Sequence, residues 1–186
     1  IMPTEERTYY ANTEGYGTSI AYYYVEGLDG KDVLFYTNRS TGTGYTVTEE
    51  EFIDINGFTF NALRSAKVGD DFDGAEFYYT RVSYELTFYN YKATLISGKG
   101  GAVKYEAPLK DYDFTPAYPE GLEPNAYQFA GWYSTAGCYA GSEVDLNSAT
   151  MPAGNLALYA KWVPVKHTVT FYLNKTTYEA GKPLDT

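Results

Sequence analysis

Both tryptophans of the chain lie in segments that alternate large apolar or aromatic residues with small or polar ones. Residues 127–133 have the sequence Tyr-Gln-Phe-Ala-Gly-Trp-Tyr, and residues 156–162 have the sequence Leu-Ala-Leu-Tyr-Ala-Lys-Trp. Alternation with a period of two is typical of a β-strand that buries one face. The segments around Trp132 and Trp162 therefore predict two half-buried strands and favour a β fold.

The same alternation recurs along the whole chain, and a content of 22 Tyr together with many Thr, Val and Phe favours strands over helices. We predict strands at 19–26, 33–37, 58–62, 75–81, 84–91, 126–133, 156–162 and 168–173. Asp29-Gly30 lies between two of these strands and predicts a hairpin turn. The glycine-rich residues 98–101 predict a flexible hairpin loop.

Helical signals are short. Thr48 is a candidate N-cap, and Glu51 three residues later completes a capping box, so residues 48–53 predict a helix of one or two turns. A second short turn is expected near 108–111. No segment predicts a long helix.

Two pairs of segments repeat along the chain, which indicates a modular array. Leu-Thr-Phe-Tyr at 86–89 recurs as Val-Thr-Phe-Tyr at 169–172, and the sequence around Tyr105-Glu106 recurs around Tyr178-Glu179. The tail is therefore predicted to be the opening hairpin of a further repeat. A fainter similarity relates residues 77–81 to residues 158–162.

These repeats divide the chain into modules at 1–82 and 83–163, followed by a partial repeat at 164–186. Modules of this size are near the lower limit for an independent core, and their large aromatic residues help to fill it. We predict a mainly β fold of the α+β type, built from tandem β-grasp-like modules. Each is a mostly antiparallel sheet with at most one short helix. β-Sandwich modules are the alternative.

Composition excludes several classes of protein. The formal net charge is −10, so nucleic acid and anionic membrane surfaces are unfavourable partners. The one cysteine, Cys138, forms no internal disulfide and no thiolate metal site by itself. No apolar run reaches the roughly 18 residues of a membrane span. We read the chain as a fragment of a longer protein and expect it to be monomeric.

Residues 83–163 resemble the Listeria–Bacteroides repeat, the type of module found in internalin B. The resemblance lies in the aromatic-x-Phe-x-Gly-Trp-Tyr strand at 127–133, in Cys138, in Met151-Pro152, and in Leu-x-Leu-Tyr-Ala-x-Trp at 156–162. The segment 91–103 is longer than the glycine-rich turn usual in the family. Residues 16–82 resemble a mucin-binding-protein type of repeat, with fewer matching landmarks.

These resemblances imply an exported bacterial protein, located at the cell surface or in the cell wall. Modules of this kind serve as stalks or adhesive units. The resemblances bring no catalytic residues and no cofactors with them. We expect a signal peptide upstream, more repeats downstream and an anchor elsewhere in the full-length protein.

Few residues are candidates for a catalytic, metal-binding or crosslinking role. His167, the one histidine, and Cys138 each need partners that the sequence does not place, so an exposed strand residue and a small packing residue are the simpler interpretations. Asp70, Asp71 and Asp73 have the carboxylate density of a calcium loop, although a turn of acidic residues is the simpler and preferred explanation. A Lys161–Asn174 isopeptide bond is a further hypothesis, and it would lower the intact mass by one ammonia.

Three functions stay open at this point. The leading hypothesis is a non-catalytic spacer that also adheres. The second is a specific binding module for a host glycan or glycoprotein, since exposed Tyr and Trp rings stack on sugars and bind proteins. The third is an enzyme, which would require a deep pocket with converging carboxylates. Trp132 and Trp162 alternate as core residues do, so we predict that they stabilise the fold.

Overall fold

A computed structural model describes residues 9–10, 17–42, 46–47, 53–65, 74–173 and 175–181. The strands are β1 (Tyr9–Tyr10), β2 (Gly17–Glu26), β3 (Asp32–Gly42), β4 (Thr46–Val47), β5 (Phe58–Phe60), β6 (Gly74–Arg81), β7 (Ser83–Asn90), β8 (Thr94–Leu95), β9 (Gly101–Lys104), β10 (Tyr127–Tyr133), β11 (Glu143–Val144) and β12 (Leu156–Pro164). The described residues also contain two short α-helices, α1 (Ala62–Ser65) and α2 (Lys175–Glu179). None of the helices in the described residues is long and apolar enough to cross a membrane.

Besides a two-stranded antiparallel sheet of β1 and β4, the described strands form two mixed sheets with the same internal order. The first sheet has the order β3-β2-β6-β5, and the second has the order β11-β10-β12-β7-β8, with β9 also paired to β7. In each sheet the first and last major strands, β2 with β6 and β7 with β12, lie side by side at the centre and run parallel. The other pairings are antiparallel.

The mainly β fold is thus confirmed. The strand order agrees with the predicted β-grasp arrangement, but the predicted helix at 48–53 lies almost wholly outside the described residues. The finer fold name and the module boundaries therefore stay predictions. In the described residues, each core lies against one face of a single mixed sheet, which disfavours the sandwich alternative.

The alternation of side chains along the strands determines which residues form the two cores. In the first sheet Tyr23, Val25, Phe77 and Tyr79 point to one side and are buried. In the second sheet Leu86, Phe88, Leu158 and Ala160 do the same, joined by residues of the loops. Because successive side chains of a strand point to opposite faces, the residues between them form a separate outer face on each sheet.

The predicted hairpins form, with one adjustment. The turn at 27–30 connects β2 to β3, with Glu26 opposite Asp32. After β7, a 3₁₀ turn at Tyr91–Ala93 leads into β8, and the loop at 98–101 leads into β9. Both β8 and β9 pair with β7. The long segment 91–103 is therefore accommodated by dividing one strand into two.

One predicted strand is wrong. Residues 168–173 form no strand, and Val169, Phe171 and Leu173 are 66–71% exposed. The same pattern in β7 is a strand because β12 and β9 supply hydrogen bonds on both sides, and no such partners flank 168–173 among the described residues. The tail also contains helix α2, where the repetition predicted part of a hairpin. The strand predicted at 58–62 ends at Phe60, because Ala62 begins α1.

Candidate functional site

Of the residues considered for chemistry, the structure describes Cys138, Lys161 and His167. Asp70, Asp71 and Asp73 lie outside the described residues, so the calcium hypothesis stays a prediction. In the part of the chain that the structure describes, no group of three or more His, Cys, Asp or Glu side chains is placed to hold a metal ion. Asn174 is likewise not described, so the proposed bond to Lys161 is not tested. Lys161 Nζ itself donates to the carbonyl of Cys138 at 3.1 Å.

His167 and Cys138 lie in different segments of the chain. His167 is exposed and follows β12 in the segment without regular structure. Cys138 is a half-buried free thiol in the loop between β10 and β11. Burial raises the pKa of its thiol, and the nearby Lys161 lowers it to a smaller extent. A raised pKa leaves less thiolate at neutral pH, which suits a packing residue more than a nucleophile.

The tryptophans are packing residues, as predicted. Trp132 is 3% exposed and its ring lies 4.8 Å from Phe88, 5.1 Å from Phe114 and 5.3 Å from Phe129, measured between centroids. Trp162 is half-buried against the same core, and its Nε1 donates to Oδ1 of Asn90 at 2.8 Å. Neither ring is therefore a free platform for a ligand.

The outer face of the first sheet contains a cluster of half-buried tyrosines. Tyr24 and Tyr78 are direct neighbours across the central parallel pair, and their rings stack with centroids 5.2 Å apart and planes 15° apart. Tyr22 extends the stack along β2, with its centroid 6.4 Å from that of Tyr24. Cross-strand aromatic pairs of this kind stabilise a sheet, and their edges remain available to a ligand.

Charged side chains surround this tyrosine cluster. The Tyr78 hydroxyl donates to Glu76 Oε2 at 2.6 Å, and this bond, with burial, raises the pKa of Tyr78 to about 12. The Arg64 guanidinium lies 4.4 Å above the Tyr78 ring. It also donates two hydrogen bonds, of 2.9 and 2.5 Å, to Asp32, which lower the pKa of Asp32. The Tyr78 phenol thus stays a neutral donor at physiological pH.

The second sheet has a corresponding pair. Tyr89 and Tyr159 are neighbours across the parallel strands β7 and β12, and their rings stack with centroids 5.0 Å apart and planes 15° apart. Lys161 lies beside them on β12, with its Nζ 4.5 Å from the centre of the Tyr133 ring. The two modules therefore carry the same outward tyrosine pair at the same place in the sheet.

The exposed groups on these faces are of the kinds used in binding. Stacked phenols, a carboxylate and a cation offer hydrogen bonds and apolar edges to a ligand. Elsewhere, Asp111 and Asp113 line a groove of about 200 Å³ with Lys99 and Phe114, and no Ser, Thr, Cys or His lines that groove. The ionisable groups of the groove are two carboxylates, one phenol and one ammonium group.

Sequence reasoning identified the density of tyrosines but not their pairing. Strict alternation in 22–25 separates Tyr22 and Tyr24 from the core residue Tyr23, so the outward set was accessible from the pattern. The partner Tyr78 is 54 positions away from Tyr24, and only the parallel pairing of β2 with β6 brings the two rings together.

A known protein family matches the part of the chain that forms the second sheet. Residues 84–161 match the family model of the Listeria-Bacteroides repeat domain. The match begins in β7 and ends in β12, it covers less than half of the chain, and it confirms the resemblance found in the sequence. The family is typical of bacterial surface proteins and is generally non-catalytic. No curated protein matches the chain significantly.

Proposed function

We propose that this chain is a non-catalytic segment of an extracellular bacterial surface protein that acts as a spacer between other parts of that protein. One observation carries the proposal. Two sheets of the same strand order follow one another directly, with a single residue, Val82, between β6 and β7. A connection this short holds two modules in tandem rather than letting them move as separate domains. The match of the second module to a repeat family of surface proteins supports the same role.

Small-angle X-ray scattering of the purified chain tests the spacer. A single compact globule of this length would have a radius of gyration of about 16 Å. We expect a clearly larger radius and a pair-distance distribution with two maxima, one within a module and one between modules. A distribution with one maximum and a radius near the compact value would contradict the spacer proposal.

The second candidate function is binding of a host glycan or glycoprotein, and the outward tyrosines favour it. Tyr22, Tyr24 and Tyr78 form an aromatic edge next to the carboxylate of Glu76. Sugar recognition commonly combines aromatic contacts with polar groups of this kind. A glycan array and an immobilised mucin, each probed with the purified chain, separate the two functions. Saturable, selective binding would favour the binding module over a pure spacer.

If such binding occurs, Tyr24→Ala is expected to weaken it about tenfold, which corresponds to roughly 1.4 kcal/mol. The substitution removes the central ring of the cluster and leaves the buried face of β2 unchanged. Tyr78→Phe keeps the stacked rings but loses the hydrogen bond to Glu76, so it separates the contribution of ring stacking from that of the hydrogen bond. Tyr139→Ala is the control, since Tyr139 is exposed and lies in the loop before β11. Equal affinity of the Tyr24 and Tyr139 variants would place the binding elsewhere.

A further inference from the structure

The junction between the two sheets is bonded to both of them. The amide of Val82 donates to the carbonyl of Gly57 at 3.0 Å, and Gly57 precedes β5 of the first sheet. The carbonyl of Val82 accepts from the amide of Tyr105 at 2.8 Å, and Tyr105 follows β9 of the second sheet. The one linking residue therefore has its backbone fixed on both sides.

Arg81 is the central side chain of this junction. It is the last residue of β6, and its side chain is only 7% exposed. Its Nε donates to the carbonyl of Glu26 at 2.9 Å. Its Nη1 donates to the carbonyl of Tyr105 at 2.9 Å and to Glu106 Oε2 at 2.6 Å. A planar guanidinium with several fixed donors suits this role, because it binds acceptors from both modules in one geometry.

A second ion pair crosses the same junction. Lys104 Nζ, on β9, donates to Glu26 Oε1 at 2.6 Å, and the other carboxylate oxygen of Glu26 accepts from the Arg81 amide at 3.1 Å. Glu26 is the last residue of β2, so its carboxylate connects the first sheet to the second. The charges at the junction, Glu26 and Arg81 with Lys104 and Glu106, thus alternate in sign.

Packing completes the contact. The ring of Phe58, on β5, lies 4.7 Å from the Arg81 guanidinium and meets the ring of Tyr105 edge to face at 5.8 Å. Gly57 has a φ of +81°, and a Cβ on this residue would overlap the Tyr105 ring. Only glycine permits both this backbone conformation and this approach.

We infer that this junction is a locked joint, with Arg81 as the side chain that fixes the orientation of the two sheets. The inference rests on the proposed spacer function, since a fixed joint sets how far the pair of modules reaches. The second sheet has no arginine at the equivalent position. The tyrosine pairs align Tyr78 with Tyr159, so Trp162, two residues before the end of β12, takes the position of Arg81, and its ring packs into the core.

Spin-label distance measurements on the whole chain test the joint. Cys138→Ser removes the native thiol, and Lys31→Cys and Glu120→Cys, at exposed positions of the two modules, carry the labels. We expect one narrow distance distribution for the parent chain. Arg81→Ala is expected to at least double its width, and Arg81→Lys to have an intermediate effect. Arg64→Ala is the matched control, since Arg64 pairs with Asp32 within the first module, and the width should not change.

Far-UV circular dichroism would detect misfolding of the Arg81→Ala variant. A second variant tests the joint in that case. Lys104→Met combined with Glu106→Gln removes both exposed partners, whose side chains are 41% and 53% exposed, and leaves the cores intact. This variant is also expected to broaden the distribution. A broad distance distribution in the parent chain, or an unchanged width of that distribution in both variants, would overturn the locked joint. Neither result would contradict the spacer function. Selective glycan binding would contradict the pure spacer function but would not contradict the locked joint.

Discussion

Trp132→Ala is expected to lower the free energy of unfolding of the second module by about 3–5 kcal/mol. The indole is 3% exposed and contacts three phenylalanine rings, from β7, from the loop that follows β9 and from β10. Its Nε1 also donates to the carbonyl of Phe114 at 3.3 Å. Its removal would leave a large cavity between these elements. Such a cavity loses both burial and dispersion contacts.

Urea unfolding, followed by the fluorescence of the remaining Trp162, measures this loss in the module concerned. Tyr139→Ala is the control, because the Tyr139 side chain is 71% exposed and its loss should change the stability by less than about 0.5 kcal/mol. A loss below about 1 kcal/mol for Trp132→Ala would mean that the indole does not hold this core together.

The central strands were predictable from the sequence, because each of them is apolar on both faces or has apolar residues at every second position on one face. In β2 and β7 the buried residues alternate without a break, and a period of two is set locally by the backbone. The short strands β8, β9 and β11 were missed, because two to four residues carry no measurable period. Residues 168–173 show the opposite error. Their pattern is that of β7, but a strand also needs neighbours, and pattern alone does not supply them.

The candidate site was predictable only in part. The outward position of Tyr22 and Tyr24 follows from alternation, whereas the stack with Tyr78 depends on a parallel pairing between distant strands. Arg81 was placed at a module boundary from the sequence, but its burial was not foreseen. Its partner Glu26 is 55 positions away. An arginine that ends an aromatic strand carries no local sign that its charge will be satisfied from two modules.

Gly100→Ala is the other substitution with a large expected effect. Gly100 lies just before β9, at a φ of +84°, and a Cβ there would overlap the backbone carbonyl oxygen of Leu86, with the carbonyl carbon 2.9 Å away. A non-glycine residue at positive φ costs about 1–3 kcal/mol. The overlap adds to this cost, since Leu86 is fully buried on the central strand β7 and cannot shift without moving the core. We expect a total loss of at least about 3 kcal/mol in unfolding free energy.

The same loop supplies the matched control. Gly98 also has a positive φ, of +72°, but nothing lies within 4 Å of the position that a Cβ would take. Gly98→Ala therefore carries the backbone cost without the overlap, and a loss of about 1 kcal/mol is expected. The difference between the two variants, measured by urea unfolding under one set of conditions, isolates the close approach of the loop to β7. Equal losses would show that the loop moves away from Leu86 at little cost, and that dividing the strand into β8 and β9 does not fix the path of the chain.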